Sequence, residues 1–116
     1  MQQGIYLFNS SNFFEAHDYF EDLWNEAERK DRKFYQALVQ ISVGSFHLIS
    51  KNYKGALSQY CKGTSKLIAY VPSYNGVNTA KLLMEIEILI SDLNAYFEEK
   101  ICSVEPNKIP KIELTN

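Results

Sequence analysis

The sequence predicts an all-α, single-domain protein, a helical bundle of about five helices around a central uncharged helix running from Phe34 to Asn52. Three observations carry that expectation. Apolar residues recur at helical spacing in one segment after another. No segment alternates with period two for long enough to make a sheet. The stretch from Phe34 to Ser50, FYQALVQISVGSFHLIS, holds no Asp, Glu, Lys or Arg at all. At 116 residues the chain has the size of one domain, which buries about 65% of its unfolded surface and needs neither metal nor disulfide to fold. With 46% apolar and 22% charged residues, it has the composition of a globular domain rather than a disordered one.

The elements follow in order. Ile5, Tyr6, Leu7 and Phe8 form a short leading helix ended by Asn9-Ser10-Ser11-Asn12. Asn12 with Glu15 has the spacing of a capping box, so a second helix starts there and runs to about Glu28. At 100° per residue Phe13, Ala16, His17, Phe20, Leu23, Trp24 and Ala27 gather on one face, opposite Glu15, Asp18, Asp22, Asn25 and Glu26. Arg29-Lys30-Asp31-Arg32-Lys33 reads as a solvated mixed-charge connection. The central helix that follows is apolar nearly all round, the pattern of a helix covered on several sides, and Gly44 and Ser45 leave room for a neighbour to come close. Asn52 is the boundary before a fourth helix with Tyr53, Ala56, Leu57, Tyr60, Thr64, Leu67 and Ile68 inward, ended at Val71-Pro72. After the turn residues 72–76, Asn78 or Thr79 caps a fifth helix with Leu82, Leu83, Ile86, Leu89, Ile90, Leu93 and Phe97 inward, fading after Lys100. The bundle domain is placed at 1–102, and 103–116, with Pro106 and Pro110, is expected to be an extended or disordered tail.

A net charge of -2 and a pI near 5.7 exclude nucleic acid and an anionic membrane as principal partners, since both call for a basic field. No window approaches the roughly 20 apolar residues of a spanning helix. Cys61 and Cys102 lack metal-type spacing and read as free thiols of a reducing compartment, and the first residues do not have the form of a signal peptide. The expected place is therefore intracellular and soluble. Heavy use of Asn, Lys, Ile, Tyr and Phe is the bias of an AT-rich genome, which suits cytoplasm or, for an organelle-encoded chain, the chloroplast stroma.

One polar constellation stands out. His17 and Glu21 are neighbours at i, i+4 on the second helix, with Asp18 beside them and Trp24 in the same stripe. On the central helix Gln36, Gln40 and His47 fall within about 40° of one another. If the two sets face each other, His17, Asp18, Glu21, Trp24, Gln36, Gln40 and His47 line a polar pocket. The competing reading makes the strip a wet side or a set of satisfied core amides. Two imidazoles and a carboxylate are an acceptable Zn or Fe ligand set. Neither His-Glu-x-x-His nor Glu-x-x-His occurs, however, so no metal is assigned and any cofactor is unknown. Phosphate loops, nucleophile elbows and paired Cys-x-x-Cys are absent as well.

The stretches FFEAHDYFEDLW (13–24), FYQALVQISVGSFH (34–47), NYKGAL (52–57) and YNGVN (74–78), with Phe8-Asn9 before them, resemble the family known as domain of unknown function 309, small helical proteins of bacteria, archaea and plastids. The resemblance reaches from Gly4 to about Glu87. It implies a helical bundle with a central helix, makes His17, Glu21, Trp24, Gln36, Gln40 and His47 the motif positions, and supplies no activity. Asp18 stands where the family often has Glu, and Ala37 where it often has Gly.

Three functional readings follow, and the sequence leaves enzyme or non-enzyme undecided among them. The first is a non-catalytic module that binds a protein partner or assembles as a homo-oligomer. The second is a small-ligand or metal-binding pocket, extending to a metal-assisted hydrolase, built on His17, Glu21 and His47. The third is a tetratricopeptide-like peptide groove, which requires a concave apolar surface between the fourth and fifth helices and lacks the repeat period of about 34 residues.

Overall fold

The computed structural model describes residues 1–115 and contains α1 (Gln2–Asn9), α2 (Phe13–Glu26), α3 (Arg29–Ile49), α4 (Tyr53–Leu67) and α5 (Thr79–Phe97), with 3-10 turns at Ile68–Tyr70 and Pro106–Lys108. The expected all-α class holds, and among the described residues there are isolated β-bridges but no strands. Helices pack in chain order, α1 on α2, α2 on α3, α3 on α4 and α4 on α5. This order places α3 between two helical neighbours and explains why its apolar residues run nearly all round. Phe34, Ala37, Leu38, Ile41 and Leu48 are all buried. No described helix is long and apolar enough to cross a membrane.

Two local expectations need correction. The central helix does not begin at Phe34, because Arg29 to Lys33 form its opening turn. The chain breaks one step earlier, where Ala27 and Glu28 are extended. Arg and Lys are good helix formers, and Arg29, Lys30, Arg32 and Lys33 reach solvent from this helix as freely as from a loop. Asn12 does precede α2, but its side chain makes no capping hydrogen bond. Capping through asparagine occurs at the starts of α4 and α5, where Asn52 Oδ1 accepts from Gly55 N–H at 3.0 Å and Asn78 Oδ1 from Lys81 N–H at 3.1 Å.

Small residues set the closeness of α3 and α4. A Cβ on Gly44 would lie 2.7 Å from Tyr60 Cδ1, and one on Gly63 would lie 2.9 Å from Ile41 Cγ1. The buried Tyr60 hydroxyl meets Ser45 Oγ at 2.8 Å, and burial pushes its phenol well above the ordinary tyrosine value.

The segment 70–78 is held to the start of α3 by aromatic rings. Phe34 sits 5.6 Å from Tyr70 and 5.0 Å from Tyr74, centroid to centroid. Tyr70 Oη donates to Lys30 O at 3.0 Å, and Tyr74 Oη donates to Asp31. The hydrogen bond to Asp31 and partial burial push the Tyr74 phenol up to about 12. An unfolded tyrosine ionises near 10, so above that pH the unfolded chain loses its proton first and stability falls as pH rises from 10 towards 12. The urea midpoint of the wild type should decline across that window, and Tyr74→Phe should decline less steeply.

The segment expected as a tail lies against the bundle. Val104, Pro110 and Ile112 are buried. The Asn9 side chain grips the backbone of Ile112 from both sides, donating to its carbonyl at 3.0 Å and accepting its N–H at 2.7 Å. Leu114 bridges Val77 in antiparallel fashion. Asn116, the last residue of that expected tail, lies outside the described residues.

Candidate functional site

His17, half-buried on α2, has Nδ1 2.9 Å from the Phe14 carbonyl, so this nitrogen carries a proton and donates it. Asp18 Oδ1 lies 3.4 Å from the same nitrogen, and Glu21 Oε2 lies 3.8 Å from Nε2. His47, in the last turn of α3, has Nδ1 3.3 Å from Asn52 Nδ2. Because the Asn52 oxygen is already committed to Gly55 N–H, the amide presents its NH2 group and Nδ1 of His47 must accept. The hydrogen-bond network thus assigns opposite tautomers, Nδ1–H on His17 and Nε2–H on His47.

Both histidines line one hollow of about 190 Å³, with Phe14, Val43 and Phe46. The other expected site residues lie elsewhere. Asp18 and Glu21 flank His17 at the surface. Gln40 turns to α4, where Lys66 Nζ donates to its Oε1 at 3.0 Å. Gln36 and Trp24 are half-buried outside the hollow, Trp24 against the core. The strip on α3 is continuous on a helical wheel, but different neighbours meet it at different heights, α4 at Gln40 and both α2 and the start of α4 at His47. Among the described residues no three His, Cys, Asp or Glu side chains come together to hold a metal ion, so His17, Glu21 and His47 do not form a ligand triad. No described buried side-chain nitrogen or oxygen lacks a hydrogen-bond partner either, so the interior presents no unused polar group.

A concavity of about 630 Å³ lies between α4 and α5, with Cys61, Ser65 and Ile68 on one wall and Leu83, Glu87 and Ile90 on the other. The peptide-groove reading requires a concave apolar surface here, and this one is lined by polar and charged residues, among them Thr64, Glu87 and Asn94, as well as apolar ones. Beside it Ile68, Met84 and Ile88 are 60%, 57% and 50% exposed. Their signal in the sequence is a second stripe on α5, Met84, Ile88, Ser91 and Ala95, at the four-three-four spacing of a helix seam. The inward stripe through Leu82, Ile86, Leu89 and Leu93 obscures it. Phe97, expected inward, is 48% exposed, because α4 ends its cover with Tyr53 against Tyr96.

Charge differs between the two helices, although the charged residues that line the groove itself are Glu87, Glu98 and Lys100. Helix α4 carries Lys54, Lys62 and Lys66 and no acid. Burial, then Lys33 and Lys62, push the Lys66 ammonium below its usual value on the side of α4 that meets α3. On α5, Lys81 pairs with Glu85 and Asp92 with Lys108, whereas Glu87 makes no ion pair among the described residues.

The model of the family described as Domain of unknown function (DUF309) matches residues 1–59, which covers the α2 and α3 motifs and leaves residues 74–78 outside. No curated protein is detectably similar to the chain.

Proposed function

We propose that this chain, which belongs to the domain of unknown function 309 family, is a non-catalytic assembly module whose α4–α5 face docks on the same face of a second copy. The family contributes a helical domain and no activity, so the reading rests on one observation: an open groove, with exposed apolar residues beside it, between two helices of opposite net charge. Tyr53 against Tyr96 at one end and the Thr79 hydroxyl donating to Tyr70 O at the other make α4 and α5 antiparallel, which brings Lys62 level with Glu87. A two-fold axis parallel to the helices then sets Lys62 of each copy opposite Glu87 of the other. It also sets Ile68, Met84 and Ile88 in a shared apolar seam, as in a four-helix bundle made from two hairpins. Ser65, Ser91 and Ala95 are small enough to let the pairs come close.

Sedimentation equilibrium tests this. The wild type should dimerise. Ile88→Glu should raise the dimer Kd about thirtyfold, the effect of losing ~2 kcal/mol at a hot spot, while leaving the unfolding midpoint of the monomer in place, since Ile88 is half exposed. Lys62→Glu should weaken the dimer, and adding Glu87→Lys should restore it. A wild type that stays monomeric at high concentration, or a charge swap without effect, would sink the proposal.

A further inference from the structure

We infer that the hollow between α2 and α3 is a receptor for a methylated ammonium group. Its wall is an arc of four rings in unbroken contact. His17 lies 5.2 Å from Phe14, Phe14 lies 5.6 Å from Phe46, and Phe46 lies 6.1 Å from His47, with successive planes inclined at 58°, 57° and 55°. Rings tilted by more than 50° from one to the next are not stacked, and the hollow they share makes the arc concave. All four line the same space of about 190 Å³, floored by Val43. Phe14 and Phe46 are 56% and 36% exposed, so the cup opens to water.

The chemistry of the wall selects the occupant. Aromatic faces carry negative charge and attract cations within about 6 Å of a ring centroid. No lysine or arginine lines the hollow, so an anion would find no counter-charge. The carboxylates of Asp18 and Glu21 stand at His17, on the α2 side. A bare ammonium would need acceptors for three N–H groups. Among the lining residues Nδ1 of His47 is taken by Asn52 and Nδ1 of His17 is a donor, which leaves the single lone pair of His17 Nε2, the Asp18 and Glu21 carboxylates standing outside the lining. A methylated ammonium spreads its charge over C–H groups and needs no acceptors. A free choline-like molecule and a trimethylated lysine side chain share this group. The site is separate from the α4–α5 groove and stands whether or not that face dimerises.

Titration of the full chain with choline, followed by the ring resonances of Phe14 and Phe46, is the test. Choline should shift both, and its neutral isostere 3,3-dimethyl-1-butanol should bind at least about tenfold more weakly. Phe46→Leu, at a partly exposed position, should cut choline binding about tenfold and binding of the isostere by less, and Phe46→Trp should strengthen choline binding. A peptide carrying trimethyl-lysine is the second arm: binding of either cation supports the assignment, and the tighter one names the carrier. No shift with either cation, equal affinity for choline and its isostere, or a Phe46→Leu variant indistinguishable from the wild type would overturn it.

Discussion

Phe34→Ala is expected to lower the unfolding free energy by about 3–5 kcal/mol, the range for deleting a fully buried phenylalanine. Phe34 has no exposed surface, and it is the ring on which Tyr35, Tyr70 and Tyr74 converge, at 5.2, 5.6 and 5.0 Å. Its loss would open a cavity at the start of α3 and at the same time remove the surface to which the 70–78 segment is fastened. Relaxation is restricted because Tyr70 and Tyr74 are tied by hydrogen bonds to Lys30 and Asp31. For a domain whose whole stability is about 5–15 kcal/mol, such a loss is a large fraction. A urea series should show a lower midpoint with an unchanged slope. Phe34→Leu, which keeps most of the volume, should lose roughly half as much. An alanine variant within about 1 kcal/mol of the wild type would mean that this aromatic cluster does not anchor the segment.

Phe34 also marks how far the sequence could be read. The uncharged run beginning there identified the central helix, because a helix packed between α2 and α4 cannot carry charge on its sides. The same reasoning misplaced the start of that helix, since the lack of charge reports burial and Arg29 to Lys33 form helix without being buried. Periodicity found the inward stripe of α5 and passed over Met84, Ile88, Ser91 and Ala95, as a dominant apolar period hides a weaker one beside it. The docking of the C-terminal segment left no periodic signal, because Asn9 holds Ile112 by its backbone atoms. At the site, wheel geometry placed His47 in one strip with Gln36 and Gln40 and left open whether that strip faces His17; both histidines line the hollow. It could not separate His47 from Gln40, because which neighbour covers a given height of α3 depends on how α2 and α4 lie across it, and that information belongs to the packing of three helices together.

Gly44→Ala tests that packing directly, and the expected outcome is a net loss of about 1–3 kcal/mol, as for overpacking in a close-fitted core. On an open helix the substitution would stabilise by about 1 kcal/mol, since alanine is the best helix former and glycine among the worst. Here the new methyl would lie 2.7 and 2.8 Å from two ring carbons of Tyr60. The ring has little freedom to move aside, being fully buried and held at its far end by Ser45. Either α4 withdraws from α3 along the contact or Tyr60 leaves its rotamer and gives up the Ser45 hydrogen bond, which would leave a buried hydroxyl to be satisfied. The two routes are separable. If α4 withdraws, Gly63, whose own Cβ would meet Ile41 at 2.9 Å, gains room, and Gly63→Ala added to Gly44→Ala should cost less than it does alone. If the Tyr60 ring swings away, the two substitutions should add, and the Tyr60 hydroxyl should lose its protection and ionise closer to the ordinary tyrosine value in a spectroscopic titration. Gly44→Ala more stable than the wild type would show that the α3–α4 contact is looser than this geometry requires.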